Sequence, residues 1–130
     1  MDRTLVRIGA LLSFLAVALG AFGKHALETR LDAHSMEIFE TGARYHGLHA
    51  LGVVAIGILC AFGDAARLRV AGWLLVAGVA IFSGSLYAIA LTGVRAFGAV
   101  APIGGLCLMA GWVVAAFGLN SPKQLNQGAA

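Results

Sequence analysis

Four long apolar runs separated by brief polar stretches organise this chain, and their lengths predict helices that cross a membrane. A bilayer core about 30 Å thick takes roughly 20 residues of helix, within which every backbone polar group is satisfied. The first uncharged run, Ile8 to Gly23, reaches only about 24 Å as a helix, so Leu5, Val6 and a snorkelling Arg7 complete it. The second span is predicted over roughly Tyr45 to Phe62 and ends at Gly63-Asp64; the third covers Val70 to Thr92. The fourth begins near Pro102, where proline suits a first helical turn, and stops by Asn120-Ser121-Pro122. One domain over 1–122 and a short polar tail over 123–130 follow.

Between the first two runs the pattern changes to short-range polarity. Met36, Phe39, Ala43 and His46 recur on one helical face, while Glu37, Glu40 and Arg44 fall on another. Ser35 suits an N-cap, and Glu40 precedes Arg44 by four residues, the favourable order for an ion pair. This is the signature of a short amphipathic helix at the membrane surface, and no proline prevents it from running on into the second span. The fold class is therefore an all-α integral membrane protein with four transmembrane helices plus an interfacial helix between the first and second.

Composition agrees. Hydrophobic residues make up 60% of the chain and charged ones 12%, about half the charged fraction of a soluble domain. The net charge of +3 does not point to nucleic acid, because the nine basic residues are scattered at the ends of runs and read as topology signals and phospholipid contacts. Both cysteines, Cys60 and Cys107, lie within apolar runs and read as packing residues. The opening stretch from Met1 to Gly23, with Arg3 and Arg7 ahead of an apolar run, resembles a signal peptide, but further spans follow, so it reads as an uncleaved first helix. Five basic residues (Arg3, Arg7, Arg67, Arg69, Lys123) on one side against four (Lys24, Arg30, Arg44, Arg95) on the other favour cytoplasmic termini.

All four histidines, His25, His34, His46 and His49, lie between Lys24 and His49 with seven of the charged residues. The predicted topology brings His25, Tyr45, His49, Tyr87, Thr92 and Arg95 to one membrane interface as a candidate polar site. His46 and His49 are three apart on a helix, so with His25 from the neighbouring helix they form a candidate metal set, although interfacial hydrogen bonding explains them as well. Arg95 with Thr92 could hold an anionic head group or a quinone carbonyl. Helix packing is assigned to small residues: Gly9, Ser13, Gly20, Gly84, Gly104 and Gly105. No Asp, Glu, Lys or Arg occupies a hydrophobic centre, which disfavours a transporter, and GxSxG, HExxH and P-loop motifs are absent, so no enzyme and no cofactor is expected.

The stretches Gly20-Ala21-Phe22-Gly23-Lys24-His25-Ala26-Leu27, Phe39-Glu40-Thr41-Gly42-Ala43-Arg44-Tyr45 with His49-Ala50-Leu51, Phe82-Ser83-Gly84-Ser85-Leu86-Tyr87 with Leu91-Thr92-Gly93, and Pro102-Ile103-Gly104-Gly105 are similar to the transmembrane protein 256-like family. The resemblance implies four transmembrane helices and a bacterial inner-membrane location, with mitochondrial relatives in eukaryotes, and no established activity. It places His25 and His49 on the family's histidine positions, whereas His46 stands where the family usually has glutamine and Lys24 where it has alanine. A metal site common to the family would rest on His25 and His49. Three readings follow: an accessory or structural subunit or assembly factor, in a homo-oligomer or with other membrane proteins; a binding or redox protein holding a metal, quinone or lipid head group at His25 and His49; or a small-solute transporter or channel.

Overall fold

The computed structural model describes residues 1–120, so the polar tail expected over 123–130 and the stop at Ser121-Pro122 lie outside the described residues. The described residues are helical: α1 (Arg3–Phe22), continued by a π-helical turn (Gly23–Leu27), α2 (Ala33–Leu59), α3 (Ala65–Thr92), a 3-10 turn (Arg95–Ala99) and α4 (Ala101–Leu119). Three stretches are long and apolar enough to cross a membrane, Arg3–Leu27, Ala65–Thr92 and Arg95–Leu119. The 27-residue α2 is long enough as well, but Arg44, His46 and His49 within it lower its apolarity.

Aspartates start three of the four helices. Asp2 accepts from the amides of Thr4 at 3.0 Å and Leu5 at 3.1 Å, Asp32 from Ser35 at 2.8 Å, and Asp64 from Ala66 at 3.0 Å and Arg67 at 3.2 Å. Each satisfies amides that the first helical turn leaves unpaired and sets a negative charge against the positive end of the helix dipole. Asp32, rather than Ser35, is thus the cap of α2. No separate interfacial helix forms: the amphipathic segment makes the first turns of α2, with Phe39 and His46 buried and Glu37, Glu40 and Arg44 exposed. The expected Glu40–Arg44 pair does not form; the surface pair four residues apart is Lys24–Glu28, at 2.8 Å. Gly93, at φ +71°, closes α3 in the left-handed conformation that glycine adopts without cost. Pro102 stands in the first turn of α4, as its fixed φ favours.

Consecutive helices pack antiparallel: Gly9 of α1 lies against Val54 of α2, while Gly57, further along α2, lies against Val6, earlier in α1. The residues of α2 that meet α1 (Gly47, Val54, Gly57) and those near α4 (Tyr45, His49, Gly52) lie on opposite sides of the strip facing α3, at 100° per residue. The α2–α3 pair is therefore central, with α1 and α4 on opposite faces and no contact between them. Leu5, Val53, Ile56, Leu68, Leu75 and Leu108 make the main core, and Leu27, Phe39 and Ala90 a second cluster at the other end.

Small residues set the helix approaches, though at different positions from those assigned. A Cβ at Gly9 would fall 2.7 Å from the Val54 amide nitrogen, and one at Gly104 would fall on the Phe82 backbone. Gly20 and Gly84, expected as packing residues, face open space, while Gly105 would meet only the Phe82 ring, at 3.8 Å. Ser83 and Ser85 on either side of Gly84 are buried instead, the Ser85 hydroxyl donating to the Ile81 carbonyl at 2.5 Å. Ser13 turns its hydroxyl onto the Gly9 carbonyl at 2.8 Å. Cys60 is buried and Cys107 half-buried, both free.

Candidate functional site

Because α2 begins at Ala33, His46 and His49 lie several turns inside it, and the single polar zone expected from sequence divides into three places. The first is internal. His46 is 4% exposed, with Nδ1 3.0 Å from the Tyr87 hydroxyl, and the Tyr87 ring packs 5.1 Å from Phe39. Gly42 admits Tyr87 to this position, since a Cβ there would sit 3.0 Å from the ring. His46 Nε2 and the Ser83 hydroxyl are enclosed without a hydrogen-bond partner among the described residues.

The second place lies between α2, α3 and α4. His49 is 5% exposed, and its Nδ1 stands 2.7 Å from the carbonyl oxygen of Tyr45, one turn earlier. A carbonyl only accepts, so in the neutral ring Nδ1 carries the proton and Nε2 keeps its lone pair. The Tyr45 ring lies nearly parallel to the imidazole, at 11° and 5.8 Å, with Trp112 tilted 6.2 Å away and Phe82 5.0 Å from Tyr45. Together with Gly105, Leu108 and Met109 these residues line a groove of about 290 Å³. Its outer edge is open: Tyr45, Met109 and Trp112 are each more than two-fifths exposed.

The third place is the rim, where Asp32, His34, Ser35 and Arg95 border a shallow pocket of about 450 Å³ with Ile89 and Gly98. Asp32 is engaged in capping, accepting also from the Ser35 hydroxyl at 3.1 Å, and the Ser35 amide above all holds its carboxyl below the usual aspartate range. Thr92, exposed, returns its hydroxyl to the Ala88 carbonyl at 2.5 Å and is not turned toward Arg95. His25 stands exposed on the π-helical turn.

Of the six expected site residues, the structure brings only Tyr45 and His49 together, while Tyr87 joins His46. The proposed metal set of His25, His46 and His49 is not assembled, and no group of three His, Cys, Asp or Glu residues suited to a metal ion occurs among the described residues. The sequence reading missed Trp112 and Phe82 as neighbours of His49. Tyr45 and His49, four apart and so on one helix face, were legible as a pair. Nothing in the spacing of Trp112 ties it to either.

Comparison with known proteins adds a family to this geometry. The profile of a family described as "Protein of unknown function (DUF423)" matches residues 19–105. A UPF0382 membrane protein of Staphylococcus haemolyticus is 42% identical over 86% of this chain and 91% of its own length. A Bacillus subtilis protein of the same name is 36% identical over 86% of this chain and 92% of its own length, and one from Haemophilus influenzae is 37% identical over 96% and 100%. No solved structure matches. The transmembrane protein 256-like resemblance is consistent with these findings, and the chain belongs to the DUF423 family, whose relatives are bacterial membrane proteins of unknown function.

Proposed function

We propose that the chain is a four-span protein of the bacterial inner membrane with cytoplasmic termini, serving as an accessory or structural subunit and not as an enzyme. The fourth span in this reading is α2. It packs antiparallel between α1 and α3, and a chain whose first and third helices cross in the same direction must return through the second. At about 40 Å it is long enough to do so.

The observation that carries the subunit reading is the exposure of α1, which packs on one side only. Only Leu5 and Gly9 of its 20 residues are buried within the chain, and α4 lies on the far face of the α2–α3 pair. Lipid tails cover an apolar surface as well as another helix does, so association within a bilayer depends on close backbone approach at small residues. Gly20 offers such an approach on the exposed side of α1, where a Cβ would meet nothing within 4 Å. The partner in this reading is another membrane helix, from a second copy or from a different subunit. Purification in mild detergent tests it: a defined assembly that Gly20→Leu disrupts supports the reading. A strictly monomeric protein with no copurifying membrane partner overturns it.

A further inference from the structure

We propose that the groove between α2, α3 and α4 binds a membrane-soluble hydroquinone, whose hydroxyl donates to Nε2 of His49 between the rings of Tyr45 and Trp112. The inference is independent of the subunit reading, since the groove is formed within one chain and does not involve α1, but it rests on the reading of α2 as a membrane span.

The argument begins with the lone pair. His49 is more than nine-tenths buried, its Nδ1–H is committed to the Tyr45 carbonyl, and its Nε2 has no partner among the described residues, yet it is not closed off as His46 Nε2 is. An acyl chain settling into the groove would cover the aromatic walls but strip this acceptor of any donor. A hydroxyl satisfies it. The walls define the rest of the ligand, because flat rings on two sides favour a flat aromatic partner. The volume, about 290 Å³, falls just below the range of drug-sized pockets and suits one substituted six-membered ring.

Depth separates a hydroquinone from a lipid head group. With α2 read as a span that ends at Leu59, its last residue, His49 lies ten residues inside it, about 15 Å along the helix and half of a bilayer core. Glycerol hydroxyls stay at the interface, whereas an aromatic diol on an apolar tail enters the hydrocarbon. The oxidised quinone carries only acceptors and would set its carbonyl against the Nε2 lone pair. The groove therefore selects the reduced form.

The test uses the full chain in phosphatidylcholine nanodiscs with Trp73→Phe, which leaves Trp112 as the sole tryptophan reporter. Trimethylhydroquinone is titrated under argon, beside its dimethyl ether and trimethylbenzoquinone. The expected result is a saturable change in Trp112 fluorescence with the hydroquinone, and binding at least about tenfold weaker for the two analogues that cannot donate. His49→Phe loses about the same factor. His49→Gln, which restores an acceptor near Nε2, recovers most of it. Gly105→Leu extends a side chain into the groove from a position whose Cβ makes only an ordinary contact with Phe82, and it abolishes binding while helicity stays unchanged. Equal binding of the hydroquinone and its ether, or undiminished binding to Gly105→Leu, overturns the proposal. So does displacement of the hydroquinone by phosphatidylglycerol, which would make the ligand a lipid hydroxyl.

Discussion

Adding one methyl group at Gly9 and one at Gly20, on the same helix, should move stability in opposite directions. At Gly9 the new Cβ lies 2.7 Å from the Val54 amide nitrogen and 3.0 Å from the Ala50 carbonyl oxygen, so the obstruction is backbone and cannot rotate aside. Relief requires α1 and α2 to part by roughly 0.7 Å, and a gap of that size forfeits a quarter to a half of each dispersion contact along the seam. Overpacking of this kind costs about 1–3 kcal/mol. At Gly20 nothing lies within 4 Å, and Gly20→Ala gains the helix-propensity difference, up to about 1 kcal/mol. Both substitutions share that propensity gain, so the two variants should differ by the overpacking alone, about 1–3 kcal/mol, or roughly fivefold or more in the unfolding equilibrium. Gly57→Ala opens the same seam from the other helix, against Val6 and the Asp2 carbonyl, so Gly9→Ala with Gly57→Ala should cost less than the sum of the two. Reversible unfolding in mixed micelles, followed by far-ultraviolet circular dichroism, measures all four chains. Equal losses at Gly9 and Gly20, or full additivity of Gly9 with Gly57, would refute the seam.

Tyr87→Phe leaves His46 Nδ1 without its partner and should destabilise by about 1 kcal/mol, near the values measured for hydrogen bonds between membrane helices; no change in the same unfolding assay would show that the bond contributes nothing. Asp2 is held below the usual aspartate range, first by the Leu5 amide and also by Arg69, whose Nε donates to it at 2.8 Å. Because the folded value is depressed, this stabilisation is complete above the unfolded aspartate value of about 3.9 and is lost as pH falls through the folded one. Asp2→Asn should accordingly flatten the fall in thermal midpoint below about pH 4, and an unaltered acid limb would count against it. In a chain freed of native cysteines, Ser35→Cys and Arg95→Cys should react with an impermeant maleimide from the periplasmic side and Ala66→Cys only from the cytoplasmic side. Labelling of Ser35→Cys and Ala66→Cys from one side would remove α2 as a span.

The helices were legible because their signals are local. Run length, the proline at Pro102 and the glycine at Gly93 depend on a few adjacent residues, and the C-terminal end of α3 and both ends of α4 fall where those residues placed them, whereas α3 starts at Ala65, under its Asp64 cap, rather than at Val70. The start of α2 was legible to within three residues, Asp32 rather than Ser35 being its cap, and the helix runs unbroken through Glu37, Glu40 and Arg44 by keeping them on its exposed face. Glycine roles were legible only in part, since spacing shows that two small residues share a face but not which face meets a neighbour. Gly9 and Gly104 face helices, and Gly20 and Gly84, no different in sequence context, do not.

The same limit explains the histidines. Three residues apart on α2, His46 and His49 are separated by about 60° around the helix axis, little enough to share a ligand if both faced one cavity. In a closed four-helix bundle they would. Here α1 and α4 lie on opposite faces of the α2–α3 pair, so 60° is enough to divide them: His46 turns toward α1 and Tyr87, and His49 toward α4 and Trp112. The division gives the two imidazoles different chemistry. His46 has its hydroxyl partner supplied by the chain and its other nitrogen enclosed, whereas His49 is anchored by a backbone carbonyl and keeps an acceptor beside an open, aromatic groove. Arrangement of the outer helices, a property of the whole chain that no local pattern encodes, therefore decides that His49 rather than the cluster can receive a ligand.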